Sequence, residues 1–164
     1  MKQIVPSLWF ADNNCEEAVN YYMTVFPNSE ILEMVNYPNE ELDPNFAGMS
    51  DNLLNARFTL NGQTFQGIDG GPYFRINEAI SFSIECTSQE EIDWYWSKLS
   101  HVPEAEQCGW CKDRFGLSWQ IVPYNMGELL QTDEQIQAMM AMKKISIEEL
   151  EKAGAQAGQP EKST

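Results

Sequence analysis

Residues 77–123, NEAISFSIECTSQEEIDWYWSKLSHVPEAEQCGWCKDRFGLSWQIVP, contain an alternating strand, a capped amphipathic helix, a hairpin and an outgoing strand. The N-terminal half of the chain starts the same way. Laid without gaps, SLWFADNNCEEAVNYY (Ser7 to Tyr22) matches SFSIECTSQEEIDWYW (Ser81 to Trp96) at a constant offset, 81 − 7 = 74. Ser7 meets Ser81, Glu16 and Glu17 meet Glu90 and Glu91, and Tyr21 meets Tyr95. In both copies an apolar-alternating strand passes through a polar capping cluster into an amphipathic helix, so the repeated features are structural signals. The chain reads as a tandem duplication.

The rest of the chain fits two copies. Gln3 to Phe10 alternates, with Ile4, Leu8 and Phe10 on one face, and Asp12, Asn13 and Asn14 offer cap oxygens for the helix that follows. Ala18, Val19, Tyr22, Met23 and Phe26 form its apolar stripe, and Pro27-Asn28 ends it. Ser29 to Tyr37 reads as a second strand and Pro38 to Asp51 as a long loop. Leu54 to Leu60 and Gln63 to Ile68 flank Asn61-Gly62, a strong two-residue hairpin signal. In the second copy Ile80, Phe82 and Ile84 line one strand face, Thr87 or Ser88 caps the helix, and Ile92, Tyr95, Trp96 and Leu99 form its stripe. A turn at Asp113 to Gly116 stands where the first copy has Asn61-Gly62.

These boundaries predict an α+β domain over residues 1–153, with module one at about 3–70, module two at about 77–123 and C-terminal helices at about 126–153. Ile136, Met139, Met140, Ile147 and Leu150 supply the apolar periodicity of those helices. Residues 154–164 carry no core side chains and are expected to be disordered.

Composition narrows the partners. The 164 residues carry 10 Lys plus Arg against 25 Asp plus Glu, a formal charge of −15 that repels phosphate backbones and anionic lipid surfaces. Neither nucleic acid nor a membrane is expected as a partner. No run approaches the roughly 20 apolar residues that span a bilayer, and MKQIVPSLWF enters a strand pattern without a signal-peptide core, so a cytoplasmic location is expected. Cys15, Cys86, Cys108 and Cys111 are then expected as free thiols.

Each copy reads as β-α-β-β-β, and two such modules pairing into a cupped mixed sheet with helices on its outer face resemble the vicinal oxygen chelate superfamily of glyoxalases, bleomycin-resistance proteins and extradiol dioxygenases. The stretches PSLWF, EEAVNYY, VFPNS, NGQTF, GGPYFRINEAISF and CGW.KD.FG.SWQIVP, with the closing MMAMKKI, are similar to its PhnB-like branch, often labelled 3-demethylubiquinone-9 3-methyltransferase. In metal-dependent members each module supplies two ligands. The resemblance puts Val5 and Ala79 at the first pair of positions and Arg57 and Gln120 at the second. Val and Ala cannot ligate, a guanidinium repels a divalent cation, and Gln is a weak donor, so no metal and no cofactor are expected.

The local motifs are better explained structurally. Methyl transfer from S-adenosylmethionine calls for a glycine-rich turn opening a helix, whereas GIDGGP leads into a strand, with a positive φ expected at Gly70 or Gly71. Cys108-Gly109-Trp110-Cys111 has redox spacing but enters a hairpin strand, where a thiolate lacks the helix N-terminus that lowers its pKa.

The candidate site is the sheet face opposite the helices. In module one it carries Ser7, Trp9, Asn55, Arg57 and Thr59; in module two, Ser81, Ser83, Ser118 and Gln120. A face rich in hydroxyls and amides suits a pocket for a small organic ligand, anionic or aromatic, with Arg57 as its charged anchor and Trp9 as a stacking surface. The leading expectation is a metal-independent binding protein. The alternatives are an enzyme using the same cup, which needs a titratable group there from the 38–51 loop or from Cys111, and a structural or regulatory dimer. A homodimer is expected from the duplicated architecture and the families the chain resembles.

Overall fold

A computed structural model describes residues 3–38, 48–50 and 52–157, in two compact units that meet in sequence at Ile76 and Asn77. Most of the 38–51 loop and the residues after 157 lie outside the described residues.

In unit one, β1 (Ser7–Phe10) leads to α1 (Cys15–Val25), followed by β2 (Glu30–Asn36), β3 (Leu53–Leu60) and β4 (Gln63–Asp69). The strand order is β1-β4-β3-β2, with β1 parallel to β4 and the other pairs antiparallel. Asn61 and Gly62 take φ of 51° and 83°, the twist-compatible turn that their sequence predicts. Helix α1 packs on β3 and β4, and the apolar alternation places Leu8, Phe10, Ala56, Phe58, Leu60 and Phe65 in the core with Ala18, Val19 and Tyr22. Gly67 is small because the Cys15 sulfur would lie 2.5 Å from any Cβ there. Ile4, expected beside Leu8, is 92% exposed: it precedes the strand, where alternation no longer dictates a face.

The helix caps differ from expectation in unit one. Asn14 occupies the N-cap without a side-chain hydrogen bond, and the Cys15 backbone N–H donates instead to the Asp69 carboxylate of β4 at 3.0 Å. Burial pushes the Asp69 carboxyl above its ordinary range, opposed by that hydrogen bond.

In unit two, β5 (Ser81–Cys86), α2 (Gln89–Leu99), β6 (Trp110–Lys112) and β7 (Ser118–Pro123) repeat the plan with one strand fewer. The order is β5-β7-β6, with β5 parallel and β6 antiparallel to β7. The counterpart of β2, expected from the β-α-β-β-β reading, is replaced by a 3-10 turn at Pro103–Ala105. Ten residues separate Leu99 from Trp110, and Pro103, which lacks a ladder donor, sits at the first position of that turn. Hydrogen bonding therefore groups the strands of the two units into a four-stranded and a three-stranded sheet, where one continuous mixed sheet was expected. Helix α2 is capped locally: the Ser88 side chain accepts from the Glu91 N–H, and Glu91 accepts from the Thr87 N–H at 2.6 Å. Ile92, Tyr95, Leu99, Trp119 and Ile121 are buried as expected, but Ile80, one residue before β5, is 67% exposed.

Helices α3 (Met126–Leu129), α4 (Asp133–Ala141) and α5 (Ile147–Ala157) complete unit two. Their core is Leu129, Met142, Ile145 and Leu150, whereas Ile136 and Met140, expected to be packed, are exposed. Helix α5 continues to Ala157, past the expected boundary at 153, and Gly154 within it leaves room for the buried Gln135 side chain. Gln135 in turn closes a capping box with Thr132 and donates to the Leu150 carbonyl.

Candidate functional site

Cross-strand register within each unit shows which residues of the two units correspond. In unit one Ser7, Gln66 and Arg57 lie in one row across β1, β4 and β3; in unit two Ser81, Ser118 and Lys112 form the same row across β5, β7 and β6. Lys112 is thus the counterpart of Arg57. The next row reads Trp9, Ile68 and Asn55 in unit one, and Ser83, Gln120 and Trp110 in unit two. Arg57 and Gln120, paired by the resemblance as later-strand positions, belong to different rows. The second hairpin is three residues shorter, so the offset is 112 − 57 = 55 before its turn and 118 − 66 = 52 after it. No constant offset could have exposed this.

Unit one holds its polar side chains in structural hydrogen bonds or at the surface. The Trp9 Nε1–H donates to the Gly71 carbonyl at 2.9 Å, its ring lies against Gly70, and Phe74 meets it edge-on at 4.9 Å. Trp9 therefore anchors the exit from β4, and its indole N–H is already satisfied. Gly70 is required for space, since any Cβ would fall 2.0 Å from the Trp9 ring, and Gly71 alone of the two takes a positive φ, 75°. Thr59 accepts from the Glu30 N–H at 3.1 Å, Asn55 is half-buried and Ser7 is exposed. Arg57 is exposed, and Glu33 on β2 is its direct cross-strand neighbour. An acidic residue of β2 thus holds the ladder position opposite Arg57, without an ion pair between the two side chains.

Unit two carries a partly open cavity. A cavity of about 320 Å³ lies over β6 and β7, lined by Lys112, Ser118, Trp110, Glu78, Glu104 and Val102, among others. Ser118 is 2% exposed, Trp110 is half-buried, and the Lys112 side chain is 22% exposed. Lys112 Nζ pairs with the Glu78 carboxylate, and this hydrogen bond holds Glu78 below the ordinary glutamate range. Beside the cavity the Gln120 side-chain amide donates to Ser81 Oγ at 2.9 Å, and Ser83 is exposed. Val102 and Glu104 come from the 3-10 turn, which packs on β6 and follows α2 where unit one has β2.

Of the nine sequence-assigned residues, Ser118 lines this cavity. Lys112, Glu78, Glu104 and Trp110 also line it and are not among the nine. The KD of CGWCKD carried the available signal: in the alternation of β6, Lys112 and Trp110 share a face while Cys111 takes the other.

The donor sets do not suit a divalent cation. In unit one the implied positions are Val5 and Arg57, in unit two Ala79 and Gln120, and among the described residues no three His, Cys, Asp or Glu side chains cluster.

The cysteines are not arranged for redox chemistry. Cys108 and Gly109 take φ of 49° and 84° in a two-residue turn closed by reciprocal Gln107–Trp110 backbone bonds. Cys111 lies buried in β6, and burial pushes its thiol up to about 12, far from a reactive thiolate.

Mixed sheets of this connectivity, each with one helix on its face, define the glyoxalase/bleomycin-resistance fold of the vicinal oxygen chelate superfamily. A family model described as 3-demethylubiquinone-9 3-methyltransferase matches residues 2–122, and the chain belongs to that family. A PhnB protein from Bacillus cereus shares 33% identity, with 74% of this chain and 99% of that one covered and a TM-score of 0.59. Protein PA1353 from Pseudomonas aeruginosa is 22% identical, covering 75% and 98% of the two chains at a TM-score of 0.57. The fosfomycin resistance protein FosX from Listeria monocytogenes is 16% identical, covering 80% and 98% at 0.52, a likeness of fold alone. No curated protein matches the sequence.

Proposed function

We propose that this protein binds a small organic molecule without a metal ion, and that the polar sheet face of unit two supplies the seat. The cavity over β6 and β7 carries the reading. At about 320 Å³ it falls at the small end of the range for ligand sites, and it combines an aromatic wall with a few convergent polar groups. A methyltransferase reading has less support, because GIDGGP ends a strand and packs against Trp9 instead of opening a helix.

The test is a thermal-shift screen against divalent metals, small aromatic molecules, and anionic and neutral metabolites, followed by titration of every hit into Lys112→Met. Binding to the native state raises the melting temperature by mass action. The expected result is a small-molecule hit that Lys112→Met loses, with EDTA leaving the melting temperature unchanged. One tightly held Zn, Ni, Fe or Mn ion per chain would refute the metal-independent reading.

The same cavity also favours an enzyme as second reading. Sequence alone placed only Arg57 as a charged group on the polar face, whereas Glu78, Glu104 and Lys112 line this cavity and are able to move protons. Incubating each hit with the protein and following its NMR spectrum separates the readings, because turnover changes the ligand and binding does not.

Homodimerisation is a further part of the proposal. Edge strand β2 exposes Ile31, Leu32, Met34 and Val35, which association would cover. Light scattering at tens of micromolar, where specific dimers of ordinary affinity assemble, is expected to give twice the chain mass. A monodisperse monomer would count against it.

A further inference from the structure

Charge in the unit-two cavity is unbalanced in an informative way. Lys112 is its one lysine or arginine, and Glu78 already neutralises it. Glu104 adds a second carboxylate from the 3-10 turn, and among the described residues no lysine or arginine forms an ion pair with it. Lys143 reaches the Pro103 carbonyl of the same turn at 3.5 Å but is paired with Glu106 at 3.1 Å. The cavity is therefore formally −1, in a chain of net charge −15. A purely anionic ligand would have to displace Glu78 from Lys112 and then meet two uncompensated carboxylates, a like-charge arrangement that opposes binding. A purely cationic ligand would suit Glu104 and the Trp110 ring but leave the remaining donors of Lys112 and the Ser118 hydroxyl unused.

We propose that the cavity takes a small zwitterion. Its ammonium faces Glu104 and the Trp110 ring, and its oxyanion accepts from Lys112 and Ser118. This inference rests on the binding reading above and specifies the ligand class for the same site. It uses both signs of charge present: Glu104 gains the ammonium, while Lys112, with three donors, bridges Glu78 and the oxyanion or releases Glu78, whose side chain is 62% exposed, into solvent. The volume, at the small end of the range for ligand sites, suits a compact amino-acid-like molecule.

The test is calorimetric titration with three probes of one skeleton: 4-aminobutyrate, butyrate and n-butylamine. The expected result is a dissociation constant for 4-aminobutyrate at least tenfold lower than for either singly charged probe. Glu104→Gln, on an exposed turn that tolerates it, is expected to weaken the zwitterion at least tenfold and, by removing a like charge, to strengthen butyrate. Lys112→Met is expected to weaken it by a similar factor, and Lys112→Arg to restore part of the loss. Butyrate binding as tightly as 4-aminobutyrate, or Glu104→Gln without effect on the zwitterion, would overturn the inference. If butyrate alone bound and Lys112→Met removed it, the binding reading would stand while this one fell. If none of the three bound, the zwitterion would likewise be rejected, and the wider thermal-shift screen, with its neutral and aromatic molecules, would decide the binding reading separately.

Discussion

Two units grown from one repeated plan put their cationic residues to different uses. Arg57 and Lys112 hold the same place in the ladder, each next to the polar residue of the outgoing strand, Gln66 or Ser118. In unit one β2 continues the sheet beyond β3, bringing Glu33 alongside Arg57 and leaving both exposed. In unit two that strand is missing, and a short proline-led turn packs on β6 instead, so Lys112 lines a cavity. Losing a strand removed a row of neighbours and opened a pocket. Duplication supplies the frame, and a length difference in one connection gives the two copies different neighbours along this row.

The sharpest way to test the contrast is through the tight turns. Gly62 and Gly109 have nearly equal φ, 83° and 84°, but a Cβ at Gly62 would meet nothing, whereas one at Gly109 would lie 2.9 Å from the Ile121 carbonyl oxygen and 3.1 Å from Ile145. Gly62→Ala is expected to cost about 1 kcal/mol, the strain of a left-handed alanine. Gly109→Ala adds overpacking and is expected to cost about 3 kcal/mol in total. Urea denaturation of the two variants measures the difference; equal losses would mean that the C-terminal segment does not press on the 108–109 turn.

The helix caps come next in size. Asp69→Ala removes a buried acceptor that serves α1 from another strand and is expected to cost about 2 kcal/mol, whereas Ser88→Ala in the locally capped α2 is expected to cost about 1 kcal/mol. The pH dependences should run in opposite directions. Asp69 has a raised carboxyl pKa, so the folded state holds its proton more tightly than the unfolded state. Its contribution therefore falls as pH rises from the ordinary aspartate range to the raised value. The Glu91 pKa is lowered by the Thr87 hydrogen bonds, so its contribution is present above the ordinary glutamate range and is lost as pH falls through the lowered value. Comparing stability–pH curves of Asp69→Asn and Glu91→Gln with the parent checks both signs. Asp69→Asn should lessen the loss of stability on raising pH through that window, and Glu91→Gln should lessen the loss on acidification.

The smallest expected effect is at Arg57. Exposed and opposite Glu33, it is expected to change stability by less than about 0.5 kcal/mol on replacement by alanine. A loss above about 2 kcal/mol in thermal or urea unfolding would mean that the Glu33–Arg57 neighbourhood is structural and would narrow the difference between the two units.

The amino-acid sequence alone determined the repeat, the helices and all strands but the expected second strand of module two, the Asn61-Gly62 turn and most of the buried stripe, because period and turn chemistry are local properties of a few neighbouring residues. Ile4 and Ile80 escaped that logic, since alternation assigns a face only where the backbone is paired in a ladder. Tertiary structure decided what depends on residues far apart in the chain. Asp69 caps α1 from 54 positions away, Trp9 closes over Gly70, and Ile145 is buried against other residues of the C-terminal helices. The site belongs to the same class. Lys112 faces a cavity because Glu78, the 103–105 turn and Ser118 surround it, and that enclosure depends on strand register and on a missing strand, which no single stretch of sequence encodes.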